Sequence, residues 1–195
     1  MAEVGEGKKI RMKFPGGVTK EYELQRKDFY ILYDTETIEH GDTSVTFFKN
    51  PNKDLNKTNM KMWSSIPAGW HFVATRLAAI IRNSYAMNPA NLDDLNSGVL
   101  IFNRATQQQV WVAPIALFAS PGMWANMAGS TDAHISNIGV PAGSGFTLPI
   151  PLEIKGAEAF DFKLDFVDAV SFEATSDTIE LTLCLIGIMT TPITH

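Results

Sequence analysis

The sequence predicts an all-β fold, a β-sandwich or jelly roll of about eight antiparallel strands with long loops and one short helix. Three observations carry that expectation. Short apolar stretches recur along the 195 residues, and the 14 Gly and 10 Pro fall between them as turn punctuation. The long helix–strand alternation that builds a parallel α/β sheet is absent. Eight strands in a chain of this length leave roughly 24 residues per strand and connection, the spacing of a sandwich with generous loops.

Taken in order, Lys8 to Phe14 alternates apolar and polar residues, Pro15-Gly16-Gly17 breaks it, and Tyr22 and Leu24 resume it. That pattern reads as a β-hairpin. Phe29 to Tyr33 and Ser44 to Phe48 are short strands on either side of the turn His40-Gly41-Asp42. Asn50 to Asn59 is too polar for a core and is expected as a loop. Trp70 to Arg82 is ambiguous: Val73, Leu77, Ile80 and Ile81 lie at helical spacing, yet Pro67-Ala68-Gly69 and the surrounding strands favour β, and it is read as a strand. Pro89 to Leu95 has the look of a short helix start.

Gly98 to Phe102 and Val110 to Pro114 form a second hairpin. Ser120 to Gly145, rich in Gly, Ser, Asn and Pro, is a long surface excursion of the kind that usually makes contacts. Leu148 to Ile154, Phe160 to Phe166 and Ile179 to Met189 complete the series. Phe160-Asp161-Phe162-Lys163-Leu164-Asp165-Phe166 alternates strictly, with four apolar residues on one face and three charges on the other. The domain organisation expected is a basic N-terminal hairpin or arm over 1–27, part of the same domain, and a single jelly roll over 28–195.

Composition narrows the function. Charged residues make up 19%, below the roughly 25% usual for soluble domains. So low a fraction argues against disorder and suggests a surface partly covered, most simply by other copies of the chain. The net charge of −5 excludes a generally basic nucleic-acid binder. It is unevenly spread: residues 1–27 hold seven basic and four acidic groups, the remainder nine and seventeen. The start MAEVGEGKKIRMKF lacks a secretory apolar core and no apolar run is long enough to span a bilayer, so a soluble, intracellularly made chain is expected. One cysteine, Cys184, permits no internal disulfide and no multi-thiolate metal site, and is read as a small buried hydrophobe.

The chemistry-bearing residues do not converge. His40, His71, His134 and His195 show neither His-x-His nor His-x-x-x-His spacing, so the metal-binding pattern of a cupin-like barrel is missing. Glu39-His40-Gly41-Asp42 is read as a solvated turn rather than a cation site. Gly143-Ser144-Gly145 is not a nucleophile elbow. Asp93-Asp94 and Asp161, Asp165 and Asp168 are a weak candidate carboxylate pair, more simply solvated positions. The expectation is therefore no catalytic residue, no metal, no cofactor and no small-molecule substrate.

Two groups remain as candidates. Met60, Met62 and Trp63, with Met123, Trp124 and Met127, are large apolar side chains in loop-like segments, where contact between subunits is expected. Folding back over the ends of the sandwich is the competing reading. Lys8, Lys9, Arg11 and Lys13 form a basic edge suited to phosphates, with simple protection of a sheet edge as the alternative.

Three stretches then form a familiar set: Thr58-Asn59-Met60 with Ile66-Pro67-Ala68-Gly69 and Phe72-Val73; Leu148-Pro149-Ile150-Pro151-Leu152-Glu153-Ile154 with Phe160 to Phe166; and Leu181 to Ile193. Together, over about the last two-thirds of the chain, they resemble the single jelly-roll major capsid proteins of tailless icosahedral bacteriophages of the vertical jelly-roll lineage. The final motif departs from that pattern in having Thr191 where the family has a basic residue. The resemblance implies a viral structural protein of the virion shell, made in the host cytoplasm and assembling with itself as trimeric or pseudo-hexameric capsomers. Other capsid proteins would be among its partners, and the basic edge Lys8, Lys9, Arg11 and Lys13 could face an internal membrane or the genome. The alternatives are a carbohydrate- or receptor-binding spike-type sandwich using Trp63, Trp111 and Trp124, and a jelly-roll enzyme using His40, His71 or His134.

Overall fold

The computed structural model describes residues 2–4, 9–13, 19–23, 25–82, 89–105, 107–118, 146–172 and 174–192. The chain runs β1 (Ala2–Val4), β2 (Lys9–Lys13), β3 (Thr19–Glu23), β4 (Gln25–Glu39), β5 (Ser44–Phe47), β6 (His71–Ile81), α1 (Pro89–Asn96), β7 (Val99–Arg104) and β8 (Gln107–Pro114). A 3-10 turn at Ile115–Leu117 follows, then β9 (Phe146–Lys155), β10 (Phe160–Asp165) and β11 (Thr178–Pro192). The first three strands form a small antiparallel meander. The other eight form two four-stranded sheets, ordered β4-β11-β6-β9 and β5-β10-β7-β8.

That order is a jelly roll. The pairs β4·β11, β5·β10, β6·β9 and β7·β8 are nested, all antiparallel, as in one long two-stranded ribbon closed by the β7–β8 hairpin. Rolling the ribbon places its rungs alternately in two sheets, which β11·β6 and β10·β7 then join. The all-β expectation therefore holds, with the one short helix where the Asn-Pro start placed it.

The core lies between the two sheets. Phe160, Phe162 and Leu164 of β10 point inward and are buried, as the strict alternation predicts. Phe162 stacks on Phe102 at 4.8 Å and on Phe48 at 5.8 Å, and Phe48 meets Phe160 at 5.8 Å. Across from them stand Ile179, Leu181, Leu183 and Leu185 of β11 with Leu77, Ala79 and Ile81 of β6.

The ambiguity of Trp70 to Arg82 has a structural cause. Phe72 and Ala74 face inward, then Thr75 is an extra residue, and Leu77, Ala79 and Ile81 take over the inward positions. A β-bulge at Ala74–Arg76, felt in the pairings with both β11 and β9, shifts the alternation by one. A strand with such a slip imitates helical spacing. Gly187 sits opposite the bulge, where a Cβ would overlap the Val73 carbonyl oxygen, so only glycine fits.

The loop expected over Asn50 to Asn59 is a loop, but part of it enters the interior. Thr58 is buried and pairs by a bridge with Asp34, and Lys53 reaches the fully buried Asp34 carboxylate. Polarity excluded this segment from an apolar core, yet β4 supplies charged partners that draw it in.

Candidate assembly surfaces

Among the described residues, His40, His71 and most of the candidate carboxylates have local partners. His40 Nδ1 lies 3.1 Å from the Phe172 carbonyl, and the Glu39 amide donates to Asp42 Oδ2 at 2.8 Å, which closes the turn on itself. His71 Nε2 lies 2.8 Å from Glu153 Oε1 across β6 and β9. Asp94 Oδ2 accepts the Ser171 amide at 2.8 Å, and Asp161 accepts from Asn103 at 2.7 Å. Lys163 bridges to Asp165 at 3.0 Å, while Asp168 is exposed. Among the described residues, no three His, Cys, Asp or Glu side chains come together to hold a metal ion. His134, His195 and Gly143-Ser144-Gly145 lie outside the described residues, as does the side chain of Asp93.

The candidate contact residues separate. Met60 is buried and belongs to the core of its own subunit, because the bridge at Thr58 turns it inward. Met62 and Trp63 are exposed, Trp63 to 61%, on the loop between β5 and β6. That loop is pinned to the β9–β10 turn: Phe160 N donates to Ser64 O, Ala157 N to Ile66 O and Gly156 N to Trp70 O, at 2.7, 2.9 and 2.8 Å. A Cβ at Gly156 would overlap the Pro67 carbonyl oxygen, so the Ile66-Pro67-Ala68-Gly69 stretch packs directly on backbone. The apolar pair thus stands on a firm base. Met123, Trp124 and Met127 lie outside the described residues, with the whole of 119–145.

Of the basic candidates, Lys8 lies outside the described residues. Lys9, Arg11 and Lys13 alternate along β2 and so share a face of the meander. Register sets Arg11 opposite both Glu3 and Glu21, and Lys9 opposite Glu23. Acidic residues therefore stand at the register positions beside Lys9 and Arg11. β3 ends at Glu23 and β4 opens at Gln25, so Arg26 and Lys27, grouped above with the arm, stand on the first strand of the sandwich.

A surface that no sequence motif marks is the outer face of β4-β11-β6. Cross-strand rows there run Phe29–Ile188–Val73, Ile31–Ile186–Arg76, Tyr33–Cys184–Ala78 and Thr35–Thr182–Ile80. The half holding Tyr33 and Cys184 is covered by the chain's own loop. Tyr33 Oη donates to the Leu55 carbonyl, Arg82 to the Asn56 carbonyl, and Lys57 pairs with Glu180 at 2.9 Å. Burial pushes the Cys184 thiol up to about 11. The other half is open: Phe29 is 68% and Ile188 48% exposed. The signal was present in Leu181 to Met189 and Phe29 to Tyr33, which are apolar at successive rather than alternate positions, the mark of a strand covered on both faces.

The loop is held to β4 by a buried ion cluster. Asp34 accepts from Lys53 Nζ at 3.0 and 3.1 Å and from the Phe48 amide at 2.6 Å. Lys53 also donates to the Thr35 carbonyl at 2.9 Å and pairs with Glu36. Phe48 sits at φ 64°, a strained region for a bulky residue, and the Asp34 bond holds it there. Burial raises the Glu36 pKa from 4.5, against the lowering effect of its bond and charge interaction with Lys53. Asn59 completes the seam: its amide nitrogen donates to Ile31 O at 2.7 Å, its oxygen accepts from Tyr33 N at 2.9 Å, and together they cap the β4 edge.

The fold thus defines a jelly-roll β-sandwich whose notable features are surfaces. The chain matches no protein-family model, no curated protein and no solved structure.

Proposed function

We propose that this chain is a structural subunit that assembles with itself into a closed icosahedral shell, a major capsid protein of the single jelly-roll kind. The observation that carries the reading is the open apolar half of the β4-β11-β6 outer face on a jelly-roll block. A rigid sandwich with an uncovered apolar flank is suited to packing against neighbours around symmetry axes. The exposed Met62 and Trp63, on their pinned loop, offer a second contact at the end of the sandwich where β4 begins. On this reading the chain carries no catalytic centre and no cofactor, and its partners are copies of itself and other shell proteins. The resemblance of Thr58 to Val73, Leu148 to Phe166 and Leu181 to Ile193 to phage capsid proteins supports the same assignment.

Electron microscopy and sedimentation velocity of the purified protein test it. Regular particles or discrete capsomers are expected, and a strict monomer at high concentration overturns the reading. A second reading, a carbohydrate-binding sandwich, draws on the exposure of Trp63. Glycan-array binding that is lost in Trp63→Ala would favour it over the shell.

A further inference from the structure

The segment joining β5 to β6 is held in two different ways. From Thr58 onward it is built into the sandwich: Thr58, Met60 and Ile66 are buried, and the β9–β10 region donates backbone bonds to Ser64, Ile66 and Trp70. Residues 49–57 supply no buried apolar side chain, and Leu55 is 81% exposed. What fastens them is polar throughout. Lys53 Nζ donates into a cage of oxygens: Asp34 Oδ1 and Oδ2 at 3.0 and 3.1 Å, the Thr35 carbonyl at 2.9 Å, and Glu36 Oε1. Three outer fastenings surround it: Tyr33 Oη to the Leu55 carbonyl, Arg82 to the Asn56 carbonyl, and Lys57 to Glu180. A segment without apolar anchors detaches at lower cost than the whole fold, because its bonds are exchanged for bonds to water.

Residues 49–57 also form a unit with fixed ends. The Asp54 carbonyl accepts the Lys57 and Thr58 amides at 2.8 and 3.1 Å, and Asn50 Oδ1 accepts the Asn52 amide at 2.9 Å, so the segment carries its own turns. Phe48 before it and Thr58 after it are buried. Phe48, at φ 64°, is the strained end, and the Asp34 carboxylate that receives Lys53 also accepts the Phe48 amide at 2.6 Å. One carboxylate thus serves both the latch and the hinge. The Leu55 and Asn56 carbonyls fix the Tyr33 and Arg82 side chains. Tyr33, with Ile80, packs on Cys184, Ala78 and Ile186.

We propose that residues 49–57 are a strap, latched by the Lys53 ammonium, that opens between its ends at Phe48 and Thr58 while both sheets stay folded. Opening releases Tyr33 and uncovers Cys184, which adds the Tyr33–Cys184–Ala78 row to the open rows at Phe29 and Ile31. The device belongs to the fold and stands whether or not copies associate. On the assembly reading it sets how much apolar face a neighbour meets.

Cys184, the one cysteine of the chain, reports the opening directly. With the strap closed, burial pushes its thiol up to about 11, so it reacts slowly. N-ethylmaleimide labelling of the full native chain is followed by mass spectrometry across a urea series below the unfolding transition. Labelling is expected to outrun global unfolding and to depend only weakly on urea, the sign of an opening that exposes little surface. A rate that tracks global unfolding at every urea concentration overturns the strap. Lys53→Ala is expected to speed labelling by about tenfold to a hundredfold through the lost charge-assisted bonds. Methylammonium, which refills the cage, should slow that variant again, and tetramethylammonium, which has no proton to donate, should not. An unchanged rate in folded Lys53→Ala, or equal effects of the two ions, overturns the latch. Tyr33→Phe keeps the test decisive if Lys53→Ala does not fold. It loses only the bond to the Leu55 carbonyl and should label roughly threefold to tenfold faster at a nearly unchanged unfolding midpoint; an unchanged rate counts against the strap. All rates are read on the smallest species the chain forms, so failure of the strap leaves the shell reading standing.

Discussion

The two sheets share one core but turn different chemistry outward. On β10 the outward residues are Asp161, Lys163 and Asp165, flanked by Asn103, Thr46 and Ser44 but also by Ile101 and Val99 of β7, with Val112 of β8 exposed beyond Ile101. Their charges are satisfied within the sheet by Asn103–Asp161 and Lys163–Asp165 contacts. On β11 the outward residues between Thr182 and Thr190 are Cys184, Ile186 and Ile188, facing Phe29 to Tyr33 of β4. One sheet alternates charges on its central strand with a short apolar row beside it. The other is apolar in successive rows on adjacent strands, and its own loop covers only half of it. The difference teaches that a sandwich need not be symmetric in solvation, and the apolar side is where the proposed assembly would place a neighbour.

The largest effect expected on the covered side comes from Asp34→Ala. It strands the Lys53 charge, removes the acceptor of the strained Phe48 amide and frees the loop from β4. Loss of about 3–5 kcal/mol is expected, a fall in Tm on the order of 10 °C by calorimetry, with faster proteolysis of the 50–59 loop. Gly187→Ala comes next. The added methyl meets the Val73 carbonyl at the bulge, and about 2 kcal/mol of stability should be lost in urea unfolding.

Glu36→Gln sharpens the same region through pH. Because the folded pKa of Glu36 is raised from 4.5, the native state holds the proton more tightly than the unfolded one. Its contribution therefore lessens stability as pH rises from about 4.5 through the raised value. The glutamine variant should remove that fall, so its advantage over the native chain grows with pH across the window. Unfolding midpoints measured from pH 4 to 7 check it, and a parallel offset at every pH would count against it.

The smallest effects on the fold compare the two outer faces directly. Lys163→Ser should change stability by less than about 0.5 kcal/mol and leave assembly intact. Ile188→Ser should also leave the isolated sandwich nearly as stable, within about 1 kcal/mol, yet disrupt association in sedimentation velocity. Equal behaviour of the two variants would erase the distinction between the faces.

Much of this architecture was legible. Phe160 to Asp165 announced its inward face residue by residue, and the Pro-Gly-Gly and Asn-Pro signals marked the β2–β3 hairpin and α1. Trp70 to Arg82 was harder because its bulge is set by partners on either side, Gly187 above all, which a local reading of alternation does not see. Met60 and Met62 look alike in the sequence. The bridge between Thr58 and Asp34, formed by residues 24 positions apart, sends Met60 into the core and leaves Met62 outside.

Local patterning, then, sufficed for the all-β class, the eight strands of the two large sheets and the apolar surplus on β4 and β11, because these follow from side-chain period and turn chemistry near each residue. The nesting of strands into a roll, the Asp34–Lys53 seam and the half-open outer face arise from pairings between distant segments. A residue's exposure depends on which neighbour the chain brings over it. For Phe29 and Ile188 the chain brings none among the described residues, and their apolar character was written in the sequence long before their position gave it meaning.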